Sequence, residues 1–152
     1  VILIKRLLQY ALPDKIRGKI CKVIFKKYVG EDGKSFSKKL YMNINHLKEM
    51  KNLSHEIGVH GYNHSWLNKL DMKKQEREIT RSVSFWKDNK IFKNSEFTMC
   101  YPYGAYNSDT LKILKLKTKC IAGVTTVPKT VPLKNYKIFK LPRLDTNDFP
   151  SK

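Results

Sequence analysis

Residues 57–66, IGVHGYNHSW, set His60 and His64 four positions apart, with Gly58 and Gly61 around the first of them. Side chains at i and i+4 share a helical face, and a tight turn also brings them together, so both imidazoles can reach one divalent ion. On that reading the ring nitrogens lie within about 4 Å of each other or of a common point. Two ligands do not complete a metal site, and the same spacing suits two histidines that only pack. A second stretch, CYPYGAYN at 100–107, joins Pro102, which fixes its own φ and keeps Tyr101 extended, to Gly104, which allows a sharp turn. Such a turn can aim a backbone N–H, or it can be an ordinary strand-to-helix loop with buried tyrosines. A third stretch, LPRLDTNDF at 141–149, supplies Arg143, Asp145 and Asp148, which read as a surface ion-pair cluster.

These residues need elements to hold them. HEIGVH at 55–60 has the short apolar centre of a buried strand and delivers His60 at its C-terminal end. Asp71 can cap a long helix reaching Asn89, with Met72, Ile79, Val83 and Trp86 as its buried stripe. Alternation then continues with a strand at 96–102, a loop, a helix at 110–117, a strand at 120–126 and a last strand at 137–144. Ahead of the histidines the spacing predicts three helices. The first spans 14–28 with Ile16, Ile20, Val23 and Ile24 in phase; the second spans 35–42; the third spans 45–51 with Asn45 as N-cap. Strands alternating with helices point to an α/β fold with a parallel sheet or a (β/α) barrel, whose chemistry gathers at the C-terminal strand ends.

The 152 residues suit one domain with a core, and no repeat divides them. Their 31 basic and 13 acidic residues give a net charge of +18. Only Arg6, Arg17, Arg77, Arg81 and Arg143 are arginine, and the lysines are scattered along helix-like segments. Lysine reads bases and phosphates poorly because it is a point charge, so a solvated basic surface is expected and a nucleic-acid partner is not. Cys21, Cys100 and Cys120 are odd in number and widely spaced, which suggests neither a disulfide framework nor a thiolate metal site. Reduced thiols fit a cytoplasmic compartment, although localisation stays open. The apolar run 1–4 meets Lys5 and Arg6 at once, far short of the roughly 20 residues that span a bilayer. Oligomeric state leaves no mark in the sequence.

Taken in order and spacing, the three stretches resemble the polysaccharide deacetylase family, the NodB-homology domain of carbohydrate esterases, from about Leu47 onward. HGYNH is similar to that family's H-[ST]-x-x-H metal motif, with Gly61 in place of the hydroxyl residue, which implies His60 and His64 as metal ligands. CYPYG is similar to its R-x-P-Y motif, which implies an oxyanion-hole role for the Tyr103 backbone N–H and substrate contacts from Pro102 and Tyr103. Cys100 stands where the family often has arginine. LPRLDTNDF falls where the family carries paired aspartates, which implies substrate contacts from Asp145 and Asp148, with Phe149 in place of tryptophan. The family's T-F-D-D motif, source of a base and of a third ligand, does not precede His60, and its leucine-histidine motif does not follow Asp148.

The resemblance therefore implies one partial domain over 1–152, truncated at its front. Residues 1–50 would be a helical insertion-like segment, and 51–152 would carry the motifs. It further implies a distorted (β/α) barrel, a divalent ion such as zinc held weakly by this chain, and hydrolysis of acetyl groups from an acetylated carbohydrate. A chain lacking the first motif is expected to be inactive alone. The competing expectation is a noncatalytic basic α/β module that binds acidic glycan or nucleic acid without metal.

Overall fold

The computed structural model describes residues 1–30, 32–92 and 94–149. The chain forms two compact units, Val1–Asn43 and Ile44–Lys152.

In the first unit, α1 (Ile2–Arg6) runs into a π-helical turn, Leu7–Ala11, before α2 (Asp14–Val29) and α3 (Gly33–Leu40). Pro13 has no N–H to continue a helix, and α2 starts directly after it. Gly30 ends α2 in the left-handed region at φ +74°. Asp32 caps α3 by accepting from Lys34 N at 3.0 Å and Ser35 N at 3.1 Å, which starts this helix two residues before the predicted 35. Phe25 and Phe36 meet edge to face with centroids 5.2 Å apart. The apolar phase of α2 does not mark a buried face, since Ile16, Val23 and Ile24 are all exposed.

The second unit opens with α4 (Ile44–Asn52), so Asn45 lies within the first helical turn instead of capping it. Next come α5 (Met72–Asp88), β1 (Phe97–Cys100), α6 (Ser108–Lys117) and β2 (Cys120–Val124). Asp71 caps α5 by accepting from Lys74 N at 2.8 Å. Asn107 and Thr110 form a reciprocal capping box at the start of α6. β1 and β2 pair in parallel across α6, the connection a parallel pair requires. Single parallel bridges, Val59 to Met99 and Val124 to Leu141, add one extended segment on either side. The fold is thus helix-rich α/β with a small parallel sheet. Buried Val59, Ile79, Phe97, Met99, Ile113 and Leu114 form part of its core.

Three expectations are corrected here. Residues 55–60 are not a buried strand: only Val59 bridges to Met99 before the chain turns away at His60, and His55, Glu56 and Gly58 are exposed. The segment 137–144 is a 3₁₀ turn, Ile138–Lys140, followed by one bridge at Leu141, and is not a strand. Leu141 exchanges bonds with Gly123 O (2.9 Å) and Thr125 N (2.8 Å), but Pro142 has no N–H to extend the ladder. The buried side of α5 is also more polar than its apolar phase suggests. Gln75, Glu78, Ile79 and Ser82 are buried, Val83 and Trp86 only partly so, and Met72 is exposed. Among the described residues no helix is long and apolar enough to cross a membrane.

Candidate metal and oxyanion site

The site begins with the placement of His60. Val59 N donates to Thr98 O at 2.8 Å, and Cys100 N donates to Val59 O at 2.9 Å, which seats the residue before His60 alongside β1. Gly58 permits this approach, because a Cβ there would stand 2.8 Å from Thr98 Oγ1 and 3.0 Å from Thr98 O. His60 leaves the sheet beside the end of β1, and its Nδ1 lies 2.7 Å from Cys100 O. A carbonyl oxygen only accepts, so Nδ1 carries the proton and the neutral ring presents the Nε2 lone pair.

The turn that follows reverses the chain through left-handed positions at Gly61 (φ +77°) and His64 (φ +55°). It brings His64 Nε2 to 3.0 Å from His60 Nε2, with ring centroids 4.7 Å apart. Because His60 Nε2 accepts, His64 Nε2–H donates to it in this arrangement. Presenting both lone pairs to one ion requires the His64 proton to sit on Nδ1 instead. Two nitrogens each about 2.0–2.1 Å from a tetrahedral ion lie about 3.3 Å apart, so the pair fits two ligand positions after a small opening. Among the described residues no group of three or more His, Cys, Asp or Glu side chains could hold a metal.

The second stretch closes over the first. Pro102, buried, starts a 3₁₀ turn that Gly104 N closes on Tyr101 O at 2.8 Å. Tyr103 and Gly104 are both left-handed, at φ +57° and +68°. The Tyr103 ring stacks on Trp66 with centroids 4.4 Å apart and planes 7° from parallel, and meets His64 edge to face at 4.6 Å. The Pro102 ring lies 3.3 Å from the place a Cβ would take on Gly61, so the two turns are packed together.

Charge is distributed unevenly over this cluster. Hydrogen bonding with the Cys100 side chain raises the pKa of His60 above the usual imidazole value. The same contact, with further help from the charges of His60 and Arg143, lowers that of the Cys100 thiol. Burial, and then the nearby His60, lower the pKa of His64 and favour its neutral form. Arg143 Nη1 reaches Cys100 Sγ at 3.2 Å, so a residue read from sequence as part of an ion-pair cluster lies beside the histidine-bearing segment.

The structure thus gathers His60, His64, Pro102 and Tyr103. Asp145 and Asp148 are exposed and serve their own turn: Asp145 Oδ1 accepts from Asn147 N at 3.0 Å, and Asp148 Oδ2 accepts from Asp145 N at 2.6 Å. The bond from Asn147 N holds the Asp145 carboxyl below its ordinary pKa. Sequence reasoning missed Trp66, the reach of Arg143 and the polar face of α5. For α5 a signal existed, because Gln75 and Ser82 fall at i−4 and i+3 from buried Ile79, where a core-facing helix calls for apolar residues.

Residues 32–118 match the family model for polysaccharide deacetylase, a span that starts ahead of Leu47 and stops before the Arg143 segment. YxkH of Bacillus subtilis (strain 168), whose name assigns it provisionally to the polysaccharide deacetylases, is 35% identical over 96 residues, covering 63% of this chain and 33% of that protein. Among solved structures, the Streptococcus pyogenes deacetylase PplD in complex with acetate is similar, with 28% identity and a TM-score of 0.59, over 68% of this chain and 44% of that one. The chain therefore spans about a third of the curated relative and less than half of the solved one.

Proposed function

The chain belongs to the polysaccharide deacetylase family, and on that premise we propose that it carries the metal-binding and oxyanion-side part of a metal-dependent deacetylase acting on an acetylated carbohydrate. The observation that carries this reading is the 3.0 Å approach of His60 Nε2 to His64 Nε2, with His60 Nδ1 pinned on Cys100 O and the Tyr103 turn packed alongside. In this proposal the second unit is one portion of a distorted (β/α) barrel of the NodB type, and a likeness over 68% of the chain at a TM-score of 0.59 supports it.

His60 and His64 hold the ion, for which zinc suits two borderline imidazole donors. Bound there, the ion supplies Lewis acidity toward an acyl carbonyl and toward water. The protein's own groups do the rest. Cys100 O fixes the His60 tautomer, and burial favours the neutral form of His64. The Tyr103 backbone N–H donates to the oxygen that gains charge as the acetyl carbon becomes tetrahedral. Pro102 and the Tyr103 ring shape the sugar-facing wall, and Asp145 and Asp148 offer exposed carboxyl oxygens to sugar hydroxyls.

The reading needs a carboxylate as third ligand and a general base, and among the described residues no third ligating side chain joins the two histidines. Without them this chain binds zinc weakly and hydrolyses poorly, since positioned proton transfer alone contributes about 10²- to 10⁴-fold. The test measures acetate release from acetylated amino-sugar oligomers by this chain and by a polypeptide with further residues ahead of Val1. The longer polypeptide is expected to release acetate, to stop on chelation, to recover with zinc, and to lose activity in His60→Ala and His64→Ala. Activity indifferent to chelator and to both substitutions would overturn the proposal. Salt-sensitive polyanion binding with no acetate release would favour a noncatalytic basic module.

A further inference from the structure

We infer that Glu78, a buried residue of α5, is a positioning residue that sets the turn between His60 and His64. The inference rests on the reading of those histidines as metal ligands and extends it to the group that holds their spacing.

The turn has a reason to need holding. It passes through two left-handed positions, and the second, His64, has a Cβ that disfavours that conformation. A non-glycine residue persists there only when its surroundings over-determine it. Asn63, directly before His64, is where the surroundings act. Glu78 Oε2 accepts from Asn63 N at 2.8 Å, and Glu78 Oε1 accepts from Asn63 Nδ2. Both carboxyl oxygens of a residue only 8% exposed thus go to one residue of the turn.

The pairing is selective for chemistry as well as place. Asn63 offers two donors, its N–H and its side-chain amide, and a carboxylate answers both with acceptors in one plane. An apolar residue at 78 would leave both donors unanswered, and an aspartate at 63 would set a carboxylate against the Glu78 carboxylate. The mount is firm, because the same face of α5 also grips the fold elsewhere. Gln75 Nε2 donates to Leu70 O at 2.9 Å, and Gln75 Oε1 accepts from Thr110 Oγ1 at 2.5 Å. Capped at Asp71 and tied to the start of α6, α5 acts as a rail from which Glu78 reaches the turn.

The experiment titrates the full chain with zinc ions alone, by calorimetry, in the parent protein, Glu78→Leu, Asn63→Asp and the double variant Asn63→Asp with Glu78→Gln, with His60→Ala as the control for site. Glu78→Leu removes both acceptors, Asn63→Asp opposes two carboxylates, and the double variant restores a complementary pair with donor and acceptor exchanged. The expected result is zinc affinity about 10- to 100-fold weaker in each single variant, the usual effect of removing a group that orients a ligand, and near the parent value in the double variant. Urea midpoints read from Trp66 and Trp86 fluorescence confirm that each variant is folded. Restored affinity in the double variant is the readout that a merely structural role would not produce. Single variants that bind zinc as the parent does, or a double variant no better than the singles, would overturn the inference and leave the metal reading standing. If the parent shows no zinc binding that depends on His60, the metal reading fails instead. NMR contacts between the His60 and His64 rings then decide: loss in Asn63→Asp with return in the double variant supports the role of Glu78, and retention in Asn63→Asp overturns it.

Discussion

Gly123→Ala tests the packing that carries the end of β1 into the Tyr103 turn. Tyr101 is 1% exposed, and its ring crosses β2 so that Oη donates to Phe139 O at 2.8 Å. Only a residue without a side chain leaves it that path. A Cβ on Gly123 would stand 2.3 Å from Tyr101 Oη and 2.9 Å from both Tyr101 Cζ and Phe139 O. Ordinary contact requires the ring to retreat by about 1 Å, but core surrounds it and the retreat breaks the bond to Phe139. Overpacking of this kind costs about 1–3 kcal/mol, and the lost hydrogen bond adds about 1 kcal/mol. The expected destabilisation is therefore about 2–4 kcal/mol. Tyr101→Phe alone should cost about 1 kcal/mol. Because it also removes the atom nearest the new methyl, the double variant should be no less stable than Gly123→Ala. Urea unfolding followed by tryptophan fluorescence measures all four proteins, since Trp66 and Trp86 both belong to the second unit. Costs that add to within about 0.5 kcal/mol would refute the claim that the phenol oxygen is the obstacle.

Gln75→Leu is expected to destabilise the second unit by about 1–3 kcal/mol despite its added apolar surface, because Leu70 O and Thr110 Oγ1 each lose a buried partner; an unchanged urea midpoint would show that these bonds add nothing. Alkaline stability should depend on Cys120, whose thiol burial pushes up to about 11 from an ordinary 9.0. The folded state holds that proton more tightly than the unfolded chain, so the contribution is fully present below about pH 9 and is lost as pH rises through about 11. Between neutral pH and about pH 10 the parent should lose more stability than Cys120→Ser, and equal losses would contradict the burial argument.

The sequence by itself determined what neighbours along the chain determine. Asp71 opens α5, because a cap acts on donors two or three residues away, whereas α6 begins at Ser108, two residues before the expected 110. The apolar runs of β1 and β2 mark paired parallel strands, and a spacing of four with Gly61 between is enough to let His60 and His64 meet. Tertiary structure decided whatever joins residues distant in sequence. Arg143 reaches Cys100 across 43 positions, Thr110 reaches Gln75 across 35, and Glu78 reaches back 15 to Asn63. No periodicity encodes such contacts, since each depends on where packing sets one element against another. Residues 137–144 have a strand-like pattern yet form no strand for the same reason. Their alternation is local, but a strand also needs a partner and a continuous set of N–H donors, and here one bridge forms at Leu141 before Pro142 ends it.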